Sequence, residues 1–199
     1  MAEVFATSAA EAGLVADRAE LERLTSTPCP LTPAECAERA ERAAGVLDLS
    51  ELKRRTGDAF LLWRSETSES WLNVWRDERD TGYHDHDGSS VGVYVIDGVA
   101  RNESLVIAGP RRVRQYTAGD RFSFPGYGIH RMEHEPGAIT IHVYSPPIRS
   151  IGHYDLEDGE LRRQPSPPDE PSPPSPTLLA AVASLTGTSP PIFDRASGE

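Results

Sequence analysis

The chain of 199 residues is poor in cysteine and has no long apolar run. Cys29 and Cys36 are its only cysteines, too few for a disulfide framework in a chain of this length. We therefore expect reduced thiols in a cytoplasmic protein; a single bridge between the two is the alternative. No apolar stretch is long enough to span a bilayer, and the N-terminus lacks a basic segment followed by an apolar one. We expect neither a membrane span nor a secretory signal.

Basic residues are also few, since 20 Lys and Arg stand against 31 Asp and Glu, which gives a formal net charge of −11. This excess of negative charge argues against nucleic acid or an anionic membrane as the main partner. The apolar fraction of 38% is low for a compact domain, so part of the chain should lie outside the core. We expect the protein to be a monomer.

The sequence divides into three parts, of which the first, residues 1–57, is predicted to be helical and to pack on the second. Thr32, Pro33 and Glu35 match a helix N-cap, a proline in the first turn and the glutamate of a capping box. The residues that follow are rich in helix formers, and Gly57 is expected to end the segment.

The second part, residues 58–163, consists of short runs rich in β-branched and aromatic residues. The predicted strands are FLLWR, SWLNVWR, SVGVYVID, ESLVIA, RVRQYT, RFSF and AITIHVY, separated by turn signals such as Asp97-Gly98. This pattern predicts a mainly β domain, a sandwich or a barrel. The third part, residues 164–199, begins with QPSPPDEPSPPSP and is predicted to be a largely disordered linker and tail, with TLLAAVASLT as a short helix.

All six histidines lie between His84 and His153, within the strand region. In His84-Asp85-His86 the period of two along a strand points both imidazoles to one face and Asp85 to the other. Such an H-x-H pair alone is often a surface feature, but two inward imidazoles suit a metal better than an apolar core. The Pro125-Gly126 turn would direct His130 from a neighbouring strand towards the same place.

The spacing around these histidines resembles the two cupin motifs, an H-x-H with a later glycine and a G-x5-P segment that leads to histidine. Gly98, Gly119 and Pro125 occupy the motif positions. The resemblance implies a cupin β-barrel (jelly-roll) with His84, His86 and His130 as metal ligands. Val91 stands where most cupins have a ligating glutamate. Three neutral imidazoles leave up to three open positions, which suit Fe(II) and also Zn, Cu and Ni.

A ligand set without the glutamate is typical of thiol dioxygenases, and the sequence resembles the cysteine dioxygenase family over residues 60–153. The resemblance rests on HDH followed by VGVYVIDG, on GIHRME, and above all on IHVYSPP. It implies a hydrogen-bonded chain of Thr140, His142 and Tyr144 beside Fe(II), in which Tyr144 contacts substrate or oxygen. The alternative is that His142 and Tyr144 are simply buried and satisfied.

The resemblance also implies an arginine that binds the substrate carboxylate. Arg64 is the first candidate and Arg76 the second, and either could instead be a solvated charge at a strand end. Leu62 stands where the family has a tyrosine. Val91 stands where animal members have a cysteine crosslinked to the tyrosine, so Tyr144 should be unlinked.

The implied activity is oxidation of a small thiol by O2, with L-cysteine converted to cysteine sulfinic acid. Three alternatives stay open: a dioxygenase for 3-mercaptopropionate or another small thiol, suggested by Leu62; a non-catalytic metal-binding cupin sensor; and a zinc-dependent isomerase, disfavoured because such sites keep the carboxylate. His134 is expected to be a solvated histidine; the alternative is that it contacts the loop of His130.

Overall fold

The computed structural model describes residues 7–54, 59–106, 110–157 and 160–164. Three helices precede the strands: α1 (Arg18–Thr25), α2 (Pro33–Ala44) and α3 (Leu49–Leu52). The predicted start of α2 is confirmed, because Thr32 and Glu35 exchange both hydrogen bonds of a capping box. The predicted boundary at residue 57, the linker and the C-terminal helix lie outside the described residues, apart from residue 164.

The sequence pattern predicts a helical segment up to Gly57, but the helix is interrupted well before that residue. α2 ends at Ala44, and the chain then leaves the helix to pair with the N-terminal segment. The Ala16 amide donates to the Val46 carbonyl at 2.8 Å, and the Asp48 amide donates to the Leu14 carbonyl at 2.9 Å. These contacts bury Val46 against the core, so tertiary pairing overrides helix propensity at this point.

The strands that follow form two antiparallel sheets. Their bounds are β1 (Ala59–Arg64), β2 (Glu69–Val74), β3 (Arg79–Asp80), β4 (Tyr83–Asp85), β5 (Ser90–Asp97), β6 (Val99–Ser104), β7 (Arg112–Thr117), β8 (Arg121–Phe124), β9 (His130–His134), β10 (Ile139–Ser145), β11 (Gly152–Glu157) and β12 (Glu160–Arg163). The order is β1-β2-β10-β5-β8 in the five-stranded sheet and β12-β11-β4-β9-β6-β7 in the seven-stranded sheet, where β3 also pairs with β9. The fold is mainly β, with two antiparallel sheets that face each other across one interior, as in a jelly-roll barrel.

The sequence pattern predicts β5, β7 and β8 with their observed bounds, but it places the strand after Gly98 too late. β6 starts at Val99 instead of Glu103, because Gly98 makes a tight reversal with a φ of 74°. A side chain at Gly98 would also lie 2.7 Å from the Ala138 Cα atom. β3, β11 and β12 are not predicted by the sequence pattern.

The five-stranded sheet is packed on both faces. Its outer face lies against the helices, where Ile141 and Val143 of β10 join an apolar cluster with residues of α1 and α2. α2 lies so close to the sheet that a Cβ atom at Gly92 would be 2.0 Å from the Ala37 amide nitrogen. The inner face contributes Trp71, Val93 and other residues to a second apolar cluster inside the barrel.

The seven-stranded sheet is packed on its inner face, and part of its outer face is covered as well, since the outward-facing Asp85 is buried. Along β9, residues His130, Met132 and His134 are buried, while the two residues between them are half-buried. Most of β7 and all of β12 are exposed to solvent. Met132 and Ala100 join the inner apolar cluster from this side, so the two sheets enclose one interior. None of the helices in the described part of the chain is long and apolar enough to cross a membrane.

Candidate active site

Three buried histidines converge at one end of the barrel interior. β4 supplies His84, His86 follows directly, and β9 supplies His130, which is in register with His84. The ring centroids are 4.4 Å apart for His84 and His130, 5.0 Å for His84 and His86, and 5.3 Å for His86 and His130. One ring nitrogen from each lies within 4.8 Å of the others. Among the described residues, no carboxylate or thiol joins this group.

Asp85, between the two histidines, faces the opposite way, as the alternation along a strand predicts. Its carboxylate accepts hydrogen bonds from the Asp87 amide at 3.0 Å, from the Gly152 amide at 3.3 Å and from the Tyr154 hydroxyl. These contacts tie β4 to β11. Asp85 is therefore a structural residue of the strand that carries His84.

Hydrogen bonds on the far side of two rings leave the Nε2 lone pairs free. The His84 Nδ1 atom lies 3.0 Å from the Gly82 carbonyl oxygen, and the His130 Nδ1 atom lies 2.7 Å from the Asn102 Oδ1 atom. Since both partners are acceptors, each Nδ1 carries the proton. The His130 Nε2 atom is buried and has no hydrogen-bond partner, which is the state expected of a ligand atom facing a metal position.

Burial also keeps these imidazoles neutral. It lowers the pKa of His84 to about 4, and it lowers the pKa of His86 and of His130 well below the usual value of 6.5. Neutral imidazoles have lone pairs to give, so the three residues fit a divalent metal ion. Asn102, which orients His130, is not predicted by sequence reasoning; the available signal is a polar residue at an inward position of β6.

A buried chain of hydrogen bonds approaches the histidines from the five-stranded sheet. The Thr140 Oγ1 atom lies 3.0 Å from the His142 Nε2 atom, and the His142 Nδ1 atom lies 3.1 Å from the Tyr144 hydroxyl. The Trp75 indole donates to the Thr140 Oγ1 atom at 3.0 Å. The predicted arrangement of Thr140, His142 and Tyr144 is thus present, with Trp75 as an additional member.

The indole N–H of Trp75 can only donate, so the Thr140 Oγ1 atom accepts from it and keeps its own proton and a second lone pair for the His142 Nε2 atom. In the His142 tautomer with the proton on Nδ1, Thr140 donates to Nε2 and the Nδ1–H donates to the Tyr144 oxygen. Burial lowers the pKa of His142 to about 3 and raises the pKa of Tyr144. Tyr144, whose ring is 5.2 Å from that of His86, therefore keeps a proton to donate.

Val91 lies beside Tyr144, since the two residues are paired in register on β5 and β10. Val91 is fully buried, so an apolar side chain stands where the resemblance to cupins expects a ligating glutamate. Both cysteines are free, with Cys29 exposed and Cys36 buried. Cys36 lies on α2, outside the barrel, and burial raises its thiol pKa to about 12. Tyr144 is therefore unlinked.

The same region of the chain matches a known family. Residues 53–157 match the sequence profile of the family described as cysteine dioxygenase type I. The chain belongs to the cysteine dioxygenase type I family. The match covers both histidine segments and the strand that carries Tyr144.

Solved structures similar to this cysteine dioxygenase family member include KdgF from Halomonas sp., with a TM-score of 0.40 and 19% identity over 44% of this chain and 78% of that one. An RmlC-like cupin protein from Desulfovibrio desulfuricans has a TM-score of 0.39 and 15% identity over 45% and 82%. A double-stranded β-helix protein from Klebsiella pneumoniae has a TM-score of 0.39 and 16% identity over 56% and 89%. No curated protein matches the chain in sequence.

In this family member, Arg64 lies on the same side of the barrel as Tyr144. Arg64 is in register with Glu69 on β2, and Glu69 is in register with Tyr144 on β10. The Arg64 Nε and Nη2 atoms each donate to the Glu69 Oε2 atom at 2.8 Å. Arg76, the second candidate, is exposed beyond the opposite end of β2. Glu69 is not predicted by sequence reasoning.

Leu62 does not line the interior of this cysteine dioxygenase relative. A β-bulge interrupts the register between Leu61 and Trp63. Leu62 therefore joins the outer apolar cluster beneath the helices, whereas Leu61 packs against the inner cluster. Leu62, which stands where the resemblance expects a tyrosine, consequently does not face the histidines.

The expectation that His134 is solvated is wrong, because its side chain is buried at an inward position of β9. Its ring stacks on Trp75, with centroids 3.7 Å apart and planes at 11°. Neither ring nitrogen has a hydrogen-bond partner, and burial lowers the pKa of His134 well below its usual value.

Proposed function

We propose that this member of the family is an Fe(II)-dependent thiol dioxygenase that converts L-cysteine to cysteine sulfinic acid. The reaction is RSH + O2 → RSO2H, in which sulfur is oxidised by four electrons and both oxygen atoms remain on it. The observation that carries the proposal is a group of three buried, neutral imidazoles, joined by no carboxylate among the described residues and flanked by the protonated hydroxyl of Tyr144.

His84, His86 and His130 would hold the iron. Three neutral ligands leave the charge of a divalent ion uncompensated by protein, which favours binding of an anionic thiolate. When bound, iron supplies the redox chemistry with O2 and lowers the pKa of the thiol. Because His84 and His130 are oriented by the Gly82 carbonyl and by Asn102, the protein sets the direction of the two lone pairs in advance.

The other residues position the substrate. We assign binding of the substrate carboxylate to Arg64, because a planar guanidinium can donate two parallel hydrogen bonds to it. The Tyr144 hydroxyl donates a hydrogen bond to the reacting sulfur or oxygen atoms. His142 and Thr140 hold that hydroxyl in place, and Trp75 donates a hydrogen bond to Thr140 at the far end of the chain.

The alternative substrate, 3-mercaptopropionate, loses the support of Leu62, which faces the outer cluster. A sensor that only binds metal would not require a hydrogen-bonded chain ending at a tyrosine beside the ligands. We also propose that the protein acts as a monomer in the cytoplasm, where a reducing environment would keep the exposed thiol of Cys29 free.

The test is oxygen consumption by the iron-loaded full-length protein with a panel of small thiols, followed by mass spectrometry of the products. We expect cysteine to gain two oxygen atoms, both labelled when the gas is 18O2. The His86→Ala variant, treated identically, is the control for oxidation by free iron. A protein that holds one iron per chain but oxidises none of the thiols would overturn the proposal.

A further inference from the structure

Glu69 is a buried carboxylate next to the proposed substrate position. Its side chain is 3% exposed, whereas that of its partner Arg64 is 56% exposed. Glu69 lies on the inner face of the sheet, because it is directly opposite Tyr144 and Tyr144 contacts His86. A negative charge is thus held one side chain away from the candidate metal ligands.

The ion pair leaves one edge of the Arg64 guanidinium available. Glu69 accepts from Nε and from Nη2, both through its Oε2 atom. A guanidinium has five N–H groups, so both protons on Nη1 and the second proton on Nη2 remain. That edge can bind a second carboxylate through two parallel hydrogen bonds. Arg64 can therefore bind a substrate carboxylate without releasing Glu69.

The charges of the pair decide which ligand suits this position. Arg64 and Glu69 form an ion pair and together have no net charge, so the pair leaves no surplus positive charge for the ligand. A ligand with only a carboxylate brings a second negative charge close to Glu69. A ligand that also carries an amino group presents a positive charge or an N–H donor to it. At distances of a few ångströms such differences change affinity about tenfold.

We propose that Glu69 is a specificity-determining residue that selects thiols carrying an amino group as well as a carboxylate. The inference rests on the proposed function, because it places the thiol beside His84, His86 and His130. Cysteine and 3-mercaptopropionate test it directly, since they have the same carbon chain and differ only in the amino group. The ratio of their affinities isolates the contribution of that group, because any change in how Arg64 binds the shared carboxylate affects both ligands.

The experiment measures the dissociation constants of both thiols by calorimetry with the zinc-loaded protein, in which the metal binds thiolates without redox chemistry. We expect the wild-type protein to prefer cysteine, and Glu69→Gln to reduce that preference about tenfold. Glu69→Asp should keep most of the preference. Glu103→Gln is the matched control, because Glu103 is also buried and paired with an arginine, Arg131.

A second measurement, the 15N–1H NMR signal of the Arg64 Nε–H group in the metal-free protein, reports whether Glu69→Gln still anchors the guanidinium. An unchanged affinity ratio in Glu69→Gln would overturn the inference, as would failure of the zinc-loaded wild-type protein to bind either thiol. If the ratio changes as expected but the iron-loaded protein oxidises no thiol, the proposed activity fails and the selectivity of Glu69 stands.

Discussion

The seven-stranded sheet carries His84 and His130, with His86 directly after β4, whereas the five-stranded sheet carries the hydrogen-bonded chain and the Arg64–Glu69 pair. The two walls of the barrel are also held in shape differently. The five-stranded sheet is packed on both faces, and every residue of β10 is buried. The seven-stranded sheet is largely exposed to solvent along β7 and β12, and β4 has only three residues.

This difference shows how each wall orients its functional side chains. On the metal wall, polar contacts at specific atoms hold the rings, namely the Gly82 carbonyl for His84 and Asn102 for His130. On the other wall, packing against α2 fixes β10, and alternation then points Thr140, His142 and Tyr144 inward together. Substitutions on the first wall should therefore change metal affinity, and substitutions on the second should change turnover with metal retained.

The largest expected effect is that of His86→Ala. Removing one of three neutral ligands should weaken metal binding at least about 100-fold and abolish turnover. Even the loss of a residue that only hydrogen-bonds to a ligand weakens metal binding by about 10–100-fold. Metal content after dialysis and the dissociation constant from competition with a chelator measure it. His153→Ala is the control, because the His153 ring is 6.5 Å from that of His84 and lies outside the ligand group. Wild-type metal retention by His86→Ala would refute the ligand assignment.

Tyr144→Phe should distinguish the roles of the two sheets most clearly, because it should change turnover without changing metal affinity. The substitution removes one hydroxyl from the five-stranded sheet, so we expect metal affinity to stay within about twofold while turnover falls about 100-fold, the usual cost of losing one donor to the reacting atoms. Turnover per bound iron is the quantity to measure. Tyr116→Phe, at a ring that stacks on Phe122, provides a matched control. Loss of iron from Tyr144→Phe would contradict the division of roles.

Asn102→Ala should have a smaller effect, confined to the metal wall. The His130 Nδ1–H would lose its acceptor, and such substitutions weaken metal binding by about 10–100-fold. Turnover per bound iron should change little. Asn102→Asp keeps an acceptor at the same position and should restore most of the affinity. Equal metal affinity in the wild-type and Asn102→Ala proteins would show that packing, and not this hydrogen bond, orients His130.

The residues that sequence reasoning finds are those whose partners follow from local alternation. His84 and His86 share a face because they are two apart on an extended segment, and Thr140, His142 and Tyr144 do so for the same reason. The turn glycines Gly98 and Gly119 both have positive φ values, as turn signals predict. These features depend on neighbours within a few residues, so the sequence alone specifies them.

The missed residues depend on contacts between distant strands. Asn102 meets His130 only because β6 and β9 are adjacent. Leu62 and Arg64 would share one face on a regular strand, but the bulge near Leu61 puts Leu62 outside and leaves Arg64 opposite Glu69. A one-residue irregularity thus changes which side chains face the site, and no local pattern in the sequence predicts this bulge.

The smallest expected effect concerns His134, which lies at a contact between the two sheets away from the metal ligands. His134 belongs to the seven-stranded sheet but stacks on Trp75, which follows β2 in the other sheet. His134→Phe keeps an aromatic ring at this contact and removes two buried nitrogens that have no partner. We expect metal affinity to be unchanged and the free energy of unfolding of the metal-free protein to depend less on pH.

The sign of this change in the pH dependence of unfolding follows from the lowered pKa of His134 in the folded protein. The unfolded chain binds the proton first as the pH falls below 6.5, so this histidine makes the folded state progressively less stable down to its folded pKa. Between pH 8 and pH 5 the loss is up to about 2 kcal/mol for one such group. Urea unfolding of both metal-free proteins measures it. If the two pH profiles run parallel, His134 gains a proton in the folded state as readily as in the unfolded chain, and the contact between the walls is open to water.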